Sequence, residues 1–446
     1  MILHTASALL PEGWAKDVRI TVEGGRIAEV TAGVPEQGQG VILPAPVNLH
    51  SHTFQRAMAG LTEARTAGQD SFWTWRALMY RFLDRLTPED VQAIAGQAMV
   101  EMAEAGFAAV CEFHYLHHPV GGGTFADPAE MSRRIVAAAK DTGLGLTHLP
   151  VIYEQGGVDG RALAGGQLRF GSSPEVYAAV LEGAARALAG LPDGVLGVAP
   201  HSLRAVGRDT LGRVAGMTQG PIHIHIAEQV AEVAEVQAAW GARPVDWALA
   251  NLPVDPRWCM IHATQMTMEE TAALARTGAV AGLCPITEAN LGDGIFDAPR
   301  WLAAGGAFGV GTDSNVRISL AEELRLLEYS QRLGLKARAV MADSRSTGRF
   351  LWDGVTKGGA QAAGRSSGTI AVGQWADLLA LAAEDERLEG LQGDQMLDAF
   401  VFAGRDGLVR DLWSAGRHIV RDGRHLAREA VTRRFRTTMR RLRDAL

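Results

Sequence analysis

The sequence predicts an α/β protein in which a (β/α)8 barrel of the TIM type carries a small β-sandwich domain built from both ends of the chain. Three observations point to this fold. Eight short apolar runs alternate with helical stretches after residue 40, and β-type alternation is confined to the two ends. The length of 446 residues suits one large barrel with an accessory domain.

The eight apolar runs are too short for helices and are rich in β-branched or small residues, as buried strands are. Strand and helix alternating eight times is typical of a closed barrel. A doubly wound open sheet is the alternative, although neither a G-x-G-x-x-G loop nor a Walker loop follows any run. The runs are 41–50, 107–114, 145–153, 194–201, 221–228, 257–264, 279–285 and 306–313.

Helix-start signals lie between the runs. Thr87 and Ser173 each stand directly before a proline and an amphipathic stretch. This pattern predicts an N-cap residue followed by proline at the first helical position. Gly106 is the expected end of the helix that begins after Thr87.

The two chain ends differ from the middle. Residues 1–40 include "DVRITVEGGRIAEV", an alternation around Gly24 and Gly25 that predicts a hairpin. Residues 366–425 contain further short strands with glycine turns, so we expect both segments to form the small domain around a barrel at 41–365. Residues 426–446 are basic and amphipathic, which predicts a terminal helix with a solvated or packing arginine face.

Composition and charge narrow the class of protein. A net charge of −7 argues against a nucleic-acid binder, and 47% hydrophobic content allows a large core. The N-terminus lacks the pattern of a signal peptide, and no uncharged apolar run approaches the length of a membrane span. Cys111, Cys259 and Cys284 sit singly in apolar runs, which suits buried thiols in a reducing compartment. We therefore expect a cytoplasmic protein without nucleic-acid or membrane partners.

Two histidines close the first apolar run. His50 and His52 are two residues apart, so on a strand both side chains lie on the same face. Their position is the carboxyl end of the first barrel strand, where barrel enzymes carry their chemistry. Two ordinary loop histidines are the alternative for this pair alone, but adjacent neutral imidazoles also suit a divalent metal.

Further candidate ligands lie in or at the ends of three other runs. His223 and His225 share a face in the fifth run, and Glu228 stands three residues beyond His225. His262 is near the end of the sixth run, and Asp313 ends the eighth. Strands one and eight are neighbours in a closed barrel, so these ends should converge on one axial pocket. We predict a metal site there.

Three histidines and one aspartate, with a position left for water, form a catalytic site of the zinc type and not a closed structural site. Ferrous iron accepts the same nitrogen and oxygen ligands. A two-metal barrel hydrolase would usually place a bridging lysine on strand four, and none of the lysines lies in any run. One divalent ion for each subunit, Zn²⁺ before Fe²⁺, is therefore expected.

This constellation resembles the amidohydrolase superfamily, which has H-x-H on strand one, histidines on strands five and six, and aspartate on strand eight. The resemblance covers nearly the whole chain, including "GTIAVGQWADLL" in the split β domain. A finer resemblance is to the formimidoylglutamate deiminases. The blocks that carry it are "NLHSHTFQRAMAGLTE", "CEFHYLHH", "APHSLRAV", "HIHIAEQ", "HATQMT", "LCPITEANLGDG" and "GTDSNVRISL".

The resemblance implies hydrolysis of N-formimidoyl-L-glutamate to N-formyl-L-glutamate and ammonia, a step of histidine degradation. Asp313 would accept a proton from the attacking water, Glu228 would pass a proton to the leaving nitrogen, and His262 would stabilise the tetrahedral centre. His223 would orient neighbouring groups without binding metal, and Glu228 could alternatively be a surface carboxylate at a helix start. The implied metal ligands are His50, His52, His225 and Asp313.

The implied substrate has two carboxylates, which guanidinium groups bind in a bidentate manner. Arg76, in the long connection 61–86, and Arg204, after strand four, are the candidates; a solvated helix charge is the alternative for Arg76. Residues 287–290 are expected to line the same pocket. The family also implies a homodimer. Three further positions match pocket residues of the family: Gln55, Tyr115 and His201.

Two other functions stay open at this point. A metal-dependent deaminase of the guanine, cytosine or adenosylhomocysteine type would share the metal pattern, but a flat ring needs stacking and not two carboxylate clamps. A non-catalytic barrel scaffold is the second alternative, and the intact ligand set argues against it.

Overall fold

The computed structural model describes residues 1–35, 38, 40–61, 63, 79–404 and 406–444. These residues form a barrel of parallel strands and, beside it, a mixed sheet built from both chain ends. The strands are β1 (Ile2–Leu10), β2 (Gly13–Glu23), β3 (Arg26–Thr31), β4 (Val41–Pro44), β5 (Val47–Ser51), β6 (Ala109–His114), β7 (Gly145–Ile152), β8 (Val195–Leu196), β9 (Ala199–Pro200), β10 (Ile222–Ile226), β11 (Trp258–His262), β12 (Val280–Leu283), β13 (Ala307–Val310), β14 (Leu378–Leu381), β15 (Val409–Ser414), β16 (Arg417–Arg421) and β17 (Arg424–His425).

Helices separate the barrel strands and end the chain. They are α1 (Pro88–Ala105), α2 (Glu130–Thr142), α3 (Pro174–Leu188), α4 (Arg208–Val214), α5 (Val230–Trp240), α6 (Pro244–Asn251), α7 (Met268–Ala275), α8 (Pro285–Leu291), α9 (Ala298–Ala303), α10 (Leu320–Leu335), α11 (Thr347–Ala362), α12 (Asp394–Asp398) and α13 (Arg428–Arg443). Shorter helical turns of the 3₁₀ or π type cover Thr53–Met58, Gly165–Arg169, Ala399–Ala403 and Asp406–Leu408.

The barrel is closed. Strands β5 to β8 pair in parallel in one sheet and β10 to β13 in another, with β9 added beside β7. Parallel bridges at Val198–Ile222 and Ser202–His225 join the two sheets on one side, and a bridge from Ser51 to Asp313 joins strands one and eight. The predicted fold class is confirmed, and all the carboxyl ends of the barrel strands face one mouth.

The predicted helix starts are also confirmed. Thr87 caps α1 through a reciprocal capping box: its side chain accepts from the Asp90 backbone, and the Asp90 carboxylate accepts from the Thr87 backbone. Ser173 caps α3 by accepting from the Val176 N–H. Gly106 ends α1 with φ +105°, and a Cβ there would lie 2.7 Å from Leu379 Cδ1. Only glycine fits both the backbone and the contact.

The small domain is one eight-stranded sheet in the order β17-β16-β15-β14-β4-β1-β2-β3. The predicted hairpin turn at Gly24 and Gly25 has φ +55° and +81° and joins β2 to β3. Backbone bonds from Ile27 to Gln374 and from Ala376 to Gly25 bring β3 back against the segment before β14. The sheet thereby encloses its own apolar core.

The run 41–50 differs from the prediction of a single barrel strand. It divides at Ala45-Pro46 into β4, which pairs with β1 and β14 in the small sheet, and β5, which begins the barrel. Pro46 cannot donate a ladder hydrogen bond, and Ala45 donates to the Asp377 carbonyl of the small domain. Residues 41–44 therefore belong to the small sheet.

The terminal helix α13 packs against α1. Val431 and Leu442 are buried, Thr432 donates to Gln97, and Arg428 and Arg441 pair with carboxylates of α1. Part of its arginine face is thus a packing arm. Across the residues with assigned positions, we find no helix that combines the length and apolarity needed to cross a bilayer.

Candidate active site

The structure brings the four predicted metal ligands together at the carboxyl mouth of the barrel. One ligand atom from each of His50, His52, His225 and Asp313 lies within 4.8 Å of all the others. Each residue is at most 8% exposed. Four buried ligand atoms from strands one, five and eight therefore meet at one point.

Backbone contacts explain how strands one and eight place these groups. The Asp313 N–H donates to the His50 carbonyl at 2.9 Å, and the His52 N–H donates to the Asp313 carbonyl at 3.0 Å. Asn315, which is fully buried, donates to Ser51 Oγ and to the carbonyls of His52 and Asp313. The turn after strand eight is locked onto strand one, with Asp313 in the left-handed region at φ +41°.

The contacts of the Nδ1 atoms show which ring nitrogens are available to bind a metal ion. His52 Nδ1 lies 2.8 Å from the Phe113 carbonyl, and His225 Nδ1 lies 3.1 Å from the His201 carbonyl. Since a carbonyl only accepts, both Nδ1 atoms carry the proton and both Nε2 atoms carry a lone pair. His225 Nε2 lies 3.1 Å from His50 Nε2, and Asp313 Oδ1 lies 3.4 and 3.2 Å from the Nε2 atoms of His50 and His52. Converging lone pairs of this kind fit a cation.

The protonation states agree with this fit. Burial lowers the pKa of His50 to about 3 and holds the pKa of His225 well below its usual value. Burial alone would raise the pKa of Asp313, but contacts with His50 and His52 outweigh it and hold that pKa well below its usual range. Neutral imidazoles and an ionised carboxylate are the forms that bind a divalent metal.

His223 points away from this cluster. Its Nε2 lies 2.8 Å from the Ala362 carbonyl at the end of α11. Burial lowers its pKa to about 4, so the ring is neutral. It anchors the strand that carries His225 and adds no ligand atom to the cluster.

Glu228 and His262 stand beside the cluster. Glu228 Oε1 lies 3.8 Å from His262 Nε2, which in turn lies 3.9 Å from Asp313 Oδ2. Burial raises the pKa of Glu228 to about 7. Burial would lower the pKa of His262, but Glu228, Glu288 and Asp313 outweigh it and raise that pKa well above its usual value. A carboxyl group that holds or releases a proton near neutral pH thus faces an imidazole donor.

A cleft of about 680 Å³ of atom-free space, including its open mouth, adjoins these groups. Gln55 donates to the Tyr115 hydroxyl at 2.6 Å, and His201 Nδ1 lies 3.2 Å from Ser202 Oγ. Arg204 lines the cleft as predicted, whereas Arg76 falls outside the described residues. Other residues at its wall include Met79, Tyr80, Tyr153, Phe170, Glu232 and Thr287.

Two supporting carboxylates were missed from the sequence. Glu232, in the first turn of α5, accepts from the backbone N–H groups of Ala227 and Glu228 and so fixes the turn that presents Glu228. Glu112 on β6 accepts from the Thr53 backbone at 2.9 Å and from its hydroxyl at 2.6 Å, which holds the turn after His52. The only available signal was a buried acidic residue within an apolar strand or one turn after a predicted site residue.

A third missed carboxylate lies behind His262. Glu288 is 6% exposed, and its Oε1 accepts from His262 Nδ1 at 3.2 Å. Of the predicted residues 287–290, Thr287 lines the cleft, and Glu288 is on the other side of the imidazole.

Comparison with known families agrees with this geometry. Residues 41–419 match the amidohydrolase family, and residues 1–39 match the N-terminal domain of the formimidoylglutamate deiminase HutF. The chain is 49% identical over 437 residues to the formimidoylglutamate deiminase of Pseudomonas aeruginosa, covering 96% of each protein.

Solved structures give the same result. A crystal structure of an amidohydrolase from Brucella melitensis superposes with a TM-score of 0.95 at 48% identity, covering 99% of both chains. An adenosine deaminase from Xanthomonas campestris shares the fold, with a TM-score of 0.83 at 21% identity over 99% of this chain and 98% of the other. The chain therefore belongs to the amidohydrolase family, alongside the formimidoylglutamate deiminase of P. aeruginosa.

Proposed function

We propose that this protein hydrolyses N-formimidoyl-L-glutamate to N-formyl-L-glutamate and ammonia. The observation that carries the proposal is one constellation: a buried cluster of three histidines and an aspartate, faced by Glu228 and His262, at the floor of a cleft lined by Arg204. The high identity to a formimidoylglutamate deiminase over nearly the whole chain supports this choice of substrate.

His50, His52, His225 and Asp313 would hold one divalent ion. Three nitrogen ligands and one oxygen ligand favour Zn²⁺, and Fe²⁺ accepts the same set. When bound, the metal acts as a Lewis acid that activates water and polarises the reacting group.

The surrounding residues would move the protons. Asp313 accepts a proton from water as the oxygen bonds to the formimidoyl carbon, and Glu228 carries a proton to the terminal nitrogen. His262 donates toward the tetrahedral centre. Collapse of that centre breaks the carbon–nitrogen bond, so both protons of the water end on ammonia and its oxygen stays as the formyl group.

Arg204 would recognise a substrate carboxylate by the bidentate contact that guanidinium makes. Gln55, Tyr115 and His201 would supply hydrogen bonds to the amidine or carboxylates, since all three line the same cleft. Arg76 is proposed for the second carboxylate from its sequence position alone.

A ring deaminase is the second candidate, because Tyr115, Tyr153 and Phe170 give the cleft an aromatic wall on which a flat heterocycle could stack. Ammonia release should be measured with formimidoylglutamate, guanine, cytosine and adenosine. We expect turnover of the first alone. Arg204→Met should raise KM for formimidoylglutamate by at least tenfold; turnover of a ring substrate that is unaffected by Arg204→Met would favour the deaminase.

The scaffold alternative is tested by metal content. We expect one bound ion for each chain, and purified protein that takes up no divalent metal would contradict the proposed enzyme.

We also propose that the protein works in the cytoplasm as a homodimer. Its three cysteines are buried and free, which suits a reducing compartment. Family resemblance is the support for the dimer, and sedimentation of the metal-loaded protein would test it.

A further inference from the structure

We propose that Glu288 is a positioning residue that holds the ring of His262 with its Nε2 atom toward the reacting centre. The inference rests on the proposed function for its kinetic consequence, but its structural part concerns the protein alone. Glu288 is a buried carboxylate that the reaction described above does not use.

Glu288 Oε1 acts as a hydrogen-bond acceptor in both of its contacts. The same oxygen accepts from the Cys284 backbone N–H at 2.9 Å and lies 3.2 Å from His262 Nδ1. The Cys284 amide can only donate, so Oε1 acts as an acceptor. The Nδ1 atom must therefore carry the proton in this pair.

The Nε2 atom of His262 therefore faces the cleft. His262 Nε2 lies 3.8 Å from Glu228 Oε1 and 3.9 Å from Asp313 Oδ2, between the two carboxylates proposed to move protons. If the ring were turned over about the Cβ–Cγ bond, Cδ2 would take the place of Nδ1 beside Glu288 and Cε1 would take the place of Nε2 in the cleft. Holding one ring nitrogen by a carboxylate is the general way to fix the orientation and tautomer of a working histidine.

Glu288 is itself held rigidly. It lies in the first turn of α8, where its backbone N–H donates to the Cys284 carbonyl and its carbonyl accepts from the Asp293 N–H. The start of α8 is anchored by a second buried carboxylate, because Glu323 Oε2 accepts from the Ile286 N–H at 2.9 Å. The carboxylate that faces His262 therefore has little freedom to move.

His262 needs such a partner because its backbone is in an unusual conformation. His262 and the following Ala263 have φ +67° and +50°, which L-residues rarely adopt. This kink ends β11 and turns the imidazole toward Glu288. His262 is 1% exposed.

A different use of this carboxylate is also testable. Ligand atoms of His262, Cys284 and Glu288 lie within 4.8 Å of one another, which is the spacing of a possible second metal site. The hydrogen bond from Nδ1 already accounts for the short distance between His262 and Glu288. The positioning role therefore predicts one metal ion for each chain, with or without Glu288.

The experiment compares Glu288→Met with Glu288→Gln. Methionine removes the acceptor at similar length, whereas the glutamine carbonyl can still accept from Nδ1. We expect kcat for formimidoylglutamate to fall about 10- to 100-fold in Glu288→Met. KM should change less than threefold, Glu288→Gln should restore part of the loss, and metal content should stay at one ion for each chain.

The proton on Nδ1 is read directly. In ¹⁵N-histidine-labelled protein, long-range proton–nitrogen spectra should show a protonated Nδ1 for His262 in the wild type and loss of that signal in Glu288→Met. His262→Asn assigns the resonance. Because this measurement needs no substrate, it decides the inference even if the wild type fails to turn over formimidoylglutamate.

The matched control is Glu328→Gln. Glu328 is fully buried and accepts from the Val340 and Met341 backbones, so it reproduces the loss of a buried carboxylate away from the cleft. It should lower stability and leave kcat within twofold of the wild type. An unchanged His262 spectrum in Glu288→Met, an unchanged kcat there, or loss of a metal ion on substitution would overturn the proposal.

Discussion

At the scale of single residues, periodicity on a strand was sufficient to find the ligand cluster. His50 and His52 share a face because they are two apart, and the order of the strands in a closed barrel brings Asp313 beside them. Glu112, Glu232 and Glu288 could not be found in this way. Their function depends on which backbone or imidazole nitrogen lies opposite, and that is a property of the folded chain.

The residue with the sharpest predicted effect is Glu228. Burial keeps its pKa at about 7, so it can both hold and release a proton near neutral pH. We expect Glu228→Gln to lower kcat by about 10²- to 10⁴-fold, since an amide cannot carry the proton. Steady-state ammonia release is the measurement.

Two controls accompany this prediction. Metal content should stay at that of the wild type, because Glu228 is not among the four clustered ligand groups. Glu182→Gln, at a carboxylate that is 74% exposed on α3, should leave kcat unaltered. A Glu228→Gln enzyme with more than a tenth of wild-type kcat would contradict the proposed proton transfer.

At the scale of elements, the sequence predicted strands and helices better than it predicted the sheet to which a strand belongs. The apolar run 41–50 gives no sign of its division between two sheets, because both halves are buried on both faces. The deciding contacts come from β1 and β14, which are remote in sequence from one another. Likewise, two arginines of α13 are packing residues because carboxylates of α1 lie opposite them.

A buried ion network joins the barrel to the small sheet. Arg365, whose side chain is 1% exposed, donates to both oxygens of Asp377 at 2.7 and 2.9 Å and to Asp193 at 2.8 Å. Arg417 on β16 also donates to Asp193. We expect Arg365→Met to lower the free energy of unfolding by about 3–5 kcal/mol, because two buried carboxylates lose a charged partner.

Urea unfolding would measure this loss. The comparison variant is Arg186→Gln, which removes one partner of the exposed pair with Glu182 on α3 and should cost about 0.5 kcal/mol or less. If the two substitutions lowered the free energy of unfolding equally, the ion network would not be what holds the barrel and the small sheet together.

At the scale of the whole molecule, chain length and the alternation of strand and helix signals were enough to predict the architecture. The pH dependence of stability was not predictable, because it depends on how many histidines are buried neutral. Burial lowers the pKa of His117 and His148 to about 3 and that of His425 to about 4.

These lowered pKa values determine whether stability rises or falls as the pH changes. Between pH 6.5 and about 4 the unfolded chain binds more protons than the folded one, so stability falls as the pH falls through this window. Each such histidine contributes about 1.4 kcal/mol per pH unit. His425→Gln should reduce the slope of unfolding free energy against pH by about that amount, as measured by urea unfolding at pH 7, 6 and 5. An unchanged slope would mean that His425 takes up its proton at the same pH in the folded and the unfolded protein.

The bridge between Ser51 and Asp313 has a consequence for biosynthesis. A chain that has left the ribosome only as far as strand seven already displays three imidazoles, yet it lacks the carboxylate that completes their set. Strand eight supplies that carboxylate when it pairs with strand one and closes the barrel. If these four groups bind a metal ion, the growing chain can offer the full ligand set only after the barrel has closed.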